Sequence, residues 1–202
     1  MRRIGICALL LLWLLSALPG VTWADGEIEL ASEAAILMDA GTGQILYAKN
    51  ARERLYPASI TKVMTGLLAL EALDAGQMLT VSQEAVNQVP RTSSHISLQP
   101  GEELTVADAM YALAISSAND AANVLAEGVS GSIEAFAQRM NERSAELGAL
   151  DTHFVNPNGL PNSEHYTTAY DMAQITAEAL KNPDFLLYFG SGAYEMPATN
   201  IS

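Results

Sequence analysis

The sequence of 202 residues has one cysteine, Cys7, so no disulfide can form within the chain and its fold must be held by a core. It has no apolar run long enough to cross a bilayer as a helix: Ile4 to about Leu15 falls short of the roughly 20 residues required. Basic charge is scarce, 10 Lys and Arg against 23 Asp and Glu, and the formal net charge is −13. That balance argues against nucleic acid or an anionic membrane as the main partner. Only three histidines are present, and His95, His153 and His165 are widely spaced with no ligand motif. They are expected to be loop or surface residues, with no metal and no cofactor. Repeats and low-complexity linkers are also missing, which points to one folding unit.

What is present begins with Arg2 and Arg3, the apolar run, a helix-breaking Pro19-Gly20 and a small-residue end at Thr22-Trp23-Ala24. Residues 1–24 therefore read as a secretory signal peptide cleaved near Ala24, preferred over an uncleaved anchor because the apolar run is short. The expected location is outside the cytoplasmic membrane. Loss of that segment would remove Cys7 and both arginines, leaving about 178 residues with a net charge of −15. That length can enclose a substantial core, and 50% hydrophobic with 16% charged residues is a globular composition.

Two short apolar runs, 34–38 and 44–48, flank Asp39-Ala40-Gly41-Thr42-Gly43 and predict a β-hairpin. Periodic apolar residues from Ser59 to Leu73 predict a helix, started after Pro57 and closed by Gly76. Thr105 with Asp108 forms a capping-box pattern ahead of a helix over 106–115. Further helices are expected from Asn119 or Asp120 through Val129, from Ile133 to Leu147 with Ile133, Phe136, Ala137, Met140 and Leu147 on one stripe, and from about Thr168 to Leu180, stopping before Asn182-Pro183.

Ser59-Ile60-Thr61-Lys62 places a hydroxyl and an amine three residues apart at a helix start, on one face and within reach of each other. The helix N-terminus favours an alkoxide-like nucleophile. Ile60, Val63 and Met64 imply an apolar setting that pushes Lys62 towards the neutral amine a general base must be. Such a pair suits covalent catalysis, with Ser59 as nucleophile and Lys62 as base. Alone, Ser-x-x-Lys occurs by chance roughly once in a chain of this length, and its plain reading is a capping serine and a surface lysine.

The context sharpens it. Pro57-Ala58-Ser59-Ile60-Thr61-Lys62-Val63-Met64-Thr65 and Ser117-Ala118-Asn119-Asp120-Ala121-Ala122 resemble the first two motifs of the active-site-serine penicillin-binding proteins, specifically the low-molecular-mass D-alanyl-D-alanine carboxypeptidases. The likeness runs on through Asp39 to Gly43, Ser94 to Gly101, Asn156 to Leu160 and Thr167 to Asp171. It implies an α/β (α+β) fold of the β-lactamase/transpeptidase type, with helices packed on an antiparallel sheet that is incomplete here. By the same resemblance Ser117 relays a proton to the leaving amine and Asn119 binds the substrate's peptide carbonyl and orients Lys62. A helix-capping role suits both residues too. Family members remove the terminal D-alanine from peptidoglycan stem peptides through an acyl-serine, and β-lactams acylate that serine.

The family's third motif, Lys-Thr-Gly on a strand, does not occur among these residues; after Lys62 only Lys181 follows. That motif binds the substrate carboxylate, and its strand gives one of two oxyanion donors, whose loss costs on the order of a hundredfold in rate. The expectation is a fragment, a premature stop or a mis-called gene end, nearly inactive by itself, with residues 25–202 forming the front part of the catalytic domain and Tyr194 to Asn200 an interrupted connection. Peripheral membrane association is expected only through a C-terminal region beyond these residues. Two rivals remain: a class A β-lactamase, which needs a deacylating glutamate that Glu164-His165-Tyr166-Thr167-Thr168 does not supply, and a non-catalytic binding protein.

Overall fold

The computed structural model describes residues 29–201, so the signal-peptide expectation over 1–24 and Cys7 lie outside the described residues. From Ser32 onwards the chain forms one compact unit. Strands β1 (Ala35–Met38) and β2 (Ile45–Lys49) make the expected antiparallel hairpin, with Ala35 opposite Lys49 and a bulge at Leu37/Met38. Asp39 builds its turn, with Oδ1 accepting from the backbone N–H (2.7 Å) and the hydroxyl (2.6 Å) of Thr42. Of the two turn glycines only Gly43 needs its freedom, at φ 72°.

The helix expected to begin at Ser59 starts instead as a 3-10 turn, Ala58–Thr61, and becomes the helix α1 at Lys62–Ala72. Leu73 leaves it in an extended conformation, so the helix ends before Gly76. Helix α1 is the hub of the unit. The later helices α3 (Val106–Ile115), α4 (Asn119–Ser130), α5 (Ile133–Glu146), α6 (Ala169–Ala179) and α7 (Pro183–Phe189) all pack on it. One core cluster, around Met64, Leu67, Leu68, Phe136, Met140, Phe154 and Ile175, lies between α1, α5 and α6. A second, with Leu79, Leu104, Met110, Leu113 and Leu125, lies between α3, α4 and the strands β3 (Met78–Thr80) and β4 (Glu103–Thr105). Burying this many large apolar side chains, at up to roughly 1.5–3 kcal/mol each, supplies the cohesion that disulfides do not.

The capping box at Thr105 and Asp108 forms in both directions, and the predicted stripe of α5 is buried, with Phe136 and Met140 in the first cluster and half-buried Leu147 packed against it. Three elements escape the sequence patterns. Strands β3 (Met78–Thr80) and β4 (Glu103–Thr105) pair antiparallel as a separate two-stranded sheet, each too short to show alternation. Between them, Ser82 caps the helix α2 (Gln83–Asn87). Asn182-Pro183, expected to be a stop, starts α7: Asn182 accepts from the backbone N–H of Asp184 (2.9 Å), and proline fits a first helical turn because no N–H is needed there.

The final segment folds back along α3. The Tyr194 ring stacks on Tyr111 at 3.9 Å, and its hydroxyl donates to Asp108 (2.6 Å). Asn200 accepts from the Glu103 N–H and donates to the Gly101 carbonyl. No described helix is long and apolar enough to cross a membrane.

Candidate active site

Ser59 sits in the 3-10 turn, exposed, behind Ala58 in a left-handed conformation (φ 48°). Lys62, one turn on, is only 2% exposed, and its Nζ lies 3.2 Å from Ser59 Oγ. The amine donates to Asn119 Oδ1 (2.7 Å) and to the Asn158 backbone carbonyl (2.8 Å). These partners are neutral, so no opposing charge in contact offsets the cost of burying an ammonium. Burial pushes the Lys62 pKa down to about 8. Of the apolar neighbours, Ile60 is 52% exposed while Met64 is fully buried and Val63 half-buried, and α4 with the 156–160 loop covers the amine itself.

The contact geometry also orients the base. An ammonium has three N–H bonds, enough for all three acceptors. A neutral amine has two, and the shorter contacts to Asn119 and Asn158 take them. The lone pair then faces Ser59 Oγ, the direction needed to accept its proton.

Asn119 is the first residue of α4, but it does not cap the helix: Ala118 occupies the cap position without a side-chain bond. Because Oδ1 holds Lys62, the capping alternative falls away. Ser117 occupies the turn between α3 and α4, half-buried and at φ 52°. Such a conformation costs a non-glycine residue on the order of 1–3 kcal/mol and recurs at functional sites. Among the described residues no hydrogen bond links its hydroxyl to Ser59 or Lys62, so the structure brings together Ser59, Lys62 and Asn119 and leaves Ser117 beside them.

Six supporting residues, Thr65, Asp120, Asn123, Asn156, Asn158 and Gly159, were assigned no site role from the sequence. Asp120, 2% exposed, accepts from the backbone N–H groups of Ile96 (3.2 Å) and Leu98 (3.0 Å), while the Asn119 N–H donates to the Ser94 carbonyl (2.9 Å). Together they fasten the 94–98 loop to the second motif. Asn158 presents the carbonyl that Lys62 uses. Its loop is shaped by Asn156 Oδ1, which accepts from the Gly159 N–H (2.7 Å), and docked by the Thr65 hydroxyl on the Pro157 carbonyl (2.5 Å). Gly159, at φ 83°, passes so close to the turn before Ser59 that a Cβ there would stand 1.8 Å from the Ala58 carbonyl oxygen. Asn123, four residues after Asn119, lies on the same face of α4; that spacing was the readable signal.

His165 lies in a loop, one of the two settings expected of it, but it is not a surface residue. It is 2% exposed and packs against Thr61 of the Ser59–Lys62 turn. The Val155 N–H donates to Nδ1 (3.1 Å), so Nδ1 carries no proton; Nε2–H therefore donates to the Thr61 hydroxyl (2.8 Å). Burial, with a smaller contribution from His153, lowers its pKa to about 4. His153 and His95 do sit in loops, bonded to the Glu164 carbonyl and to Ser97 respectively. Glu164 is exposed, its N–H held by Asn162, and it does not approach Lys62, as a deacylating glutamate would have to. Among the described residues no group of three His, Cys, Asp or Glu is placed to hold a metal.

A solvent-facing serine one turn before a buried lysine, at the start of the central helix of a mixed helix and sheet unit, defines the active-site-serine class of acyl-transfer folds. Residues 21–195 match the D-alanyl-D-alanine carboxypeptidase family, peptidase S11, and the chain belongs to it. It is 45% identical over 177 residues to the D-alanyl-D-alanine carboxypeptidase DacF of Bacillus subtilis, covering 83% of this chain and 43% of that protein. Among solved structures it resembles the D-alanyl-D-alanine carboxypeptidase DacD from Francisella tularensis (TM-score 0.75, 35% identity, 80% of this chain and 40% of that one). It also resembles penicillin binding protein 6B from Escherichia coli (TM-score 0.76, 30% identity, 85% and 58%). The fold is thus of the DD-peptidase type, as expected. The chain spans about two fifths of the length of the curated relatives it matches first.

Proposed function

We propose that this chain carries the nucleophile and base of a serine-type D-alanyl-D-alanine carboxypeptidase acting on peptidoglycan stem peptides outside the cytoplasmic membrane. The observation that carries the reading is the Lys62 amine, buried among neutral acceptors 3.2 Å from Ser59 Oγ. In the first half-reaction neutral Lys62 takes the Ser59 hydroxyl proton while Oγ bonds to the carbonyl carbon of the penultimate D-alanine. The Ser59 backbone N–H is one donor for the resulting oxyanion. The C–N bond then breaks, and the terminal D-alanine leaves as its amine is protonated from Lys62 through the Ser117 hydroxyl. Asn119 Nδ2 donates to the peptide carbonyl of the bound stem. Water, losing its proton to Lys62, then attacks the acyl-serine and frees Ser59. β-Lactams enter the same path as far as the acyl-serine. The names of the relatives support the substrate class, and the pattern of residues 1–24 supports export.

A fluorescent penicillin tests this on the 202-residue chain and on Ser59→Ala. The chain should label slowly, as expected without the third motif's oxyanion donor, and the variant should not label at all; the labelling rate should climb as pH rises through about 8, where Lys62 loses its proton. Label persisting on Ser59→Ala would reject Ser59 as the nucleophile.

A further inference from the structure

Lys62 depends on two neutral acceptors for its orientation, and they are not equally secure. Asn119 offers its own side chain from the first turn of α4. Asn158 offers a backbone carbonyl from a loop, which must be held from elsewhere. The Asn158 side chain shows how: its Nδ2 donates to Asn123 Oδ1 (2.9 Å), and its Oδ1 accepts from the Leu160 N–H (3.0 Å). Asn123 in turn donates through Nδ2 to the Ala85 carbonyl (2.8 Å) in the middle of α2. Both side chains are buried, Asn123 at 0% and Asn158 at 3% exposure.

Neither amide can be turned round. A backbone N–H at one end fixes the oxygen of Asn158, and a backbone carbonyl at the other fixes the nitrogen of Asn123; flipping either would oppose like groups in a buried site. The route Ala85–Asn123–Asn158–Lys62 is therefore a rigid strut with one polarity. We propose that Asn123 is a positioning residue for Lys62: by clamping Asn158 it holds the carbonyl that takes one amine N–H, and so aims the lone pair at Ser59. Helix α4 then grips the base twice, directly through Asn119 and, one turn later on the same face, through Asn123. This rests on the proposed role of Lys62 as base. An asparagine that only satisfied the Ala85 carbonyl would contribute stability and nothing more.

The chain has three lysines, Lys49, Lys62 and Lys181, so a lysine label at Cε gives three NMR signals to titrate. Asn123→Leu, and Asn123→Ser in case the larger apolar group impairs folding, should lower the Lys62 midpoint by about 0.5 pH or more. The ammonium would stay buried but lose a well-placed acceptor. Asn119→Leu, which removes the other acceptor, should move it in the same direction and shows that the measurement senses such a loss. Asn123→Leu combined with Asn158→Leu should shift the midpoint no further than either alone, because both break one strut. Folded Asn123 variants that keep the midpoint of the unaltered chain, while Asn119→Leu moves it, would overturn the strut and leave the role of Lys62 intact. A Lys62 that titrates above 10 in the unaltered chain would overturn both.

Discussion

The buried imidazole of His165 should make the chain acid-sensitive by an amount that can be worked out. In the folded state Nδ1 must stay unprotonated to accept the Val155 N–H, and burial holds the pKa near 4, against 6.5 for an ordinary histidine. Between those two values the unfolded chain binds more protons than the folded one, so stability falls as pH drops through 6.5 and levels off below 4. At pH 5 the loss relative to pH 7.5 comes to about 2 kcal/mol, and its ceiling is on the order of 3 kcal/mol. Protonating carboxylates also changes stability with pH, so the measurement is a difference. His165→Gln keeps a donor for the Thr61 hydroxyl and an acceptor for Val155 but does not titrate. Urea unfolding of both proteins at pH 7.5 and pH 5 should show the unaltered chain losing about 2 kcal/mol more than the variant over that interval. A gap between the two that is the same at both pH values would refute a neutral, pinned His165.

Gly159→Ala should destabilise by about 2–4 kcal/mol in the same assay, because alanine at a positive φ is strained and its methyl collides with the Ala58 carbonyl. A loss under about 0.5 kcal/mol would mean that the loop and the turn do not touch as described. Asp120→Ala should cost about 2–3 kcal/mol, since it strands the buried N–H groups of Ile96 and Leu98. Amide hydrogen exchange at those two residues should accelerate well before global unfolding; unchanged protection there would show that the carboxylate does not hold the loop.

The nucleophile and base were readable because both lie within one turn of one helix, where spacing alone sets distance. The same holds for the hairpin, the capping box and the stripe of α5, each decided by neighbours a few residues away. The short elements β3, β4 and α2 were not readable, since three to five residues carry no period, and Asn182-Pro183 supports a helix start as well as a stop. The loop position of His165 was readable but its burial was not, because burial is a property of what packs over a residue, and nothing adjacent to it announces Phe154 or Thr61.

The sequence by itself determined that Ser59 and Lys62 face one another and that the surrounding motifs resemble those of D-alanyl-D-alanine carboxypeptidases. Only the tertiary structure decided what makes Lys62 a base. Its lowered pKa comes from burial against α4 and the 156–160 loop, and its lone-pair direction comes from acceptors 57 and 96 residues away. Local spacing can place two groups on one face, but the dielectric and the hydrogen-bond partners around them belong to chain segments that meet only when the core closes.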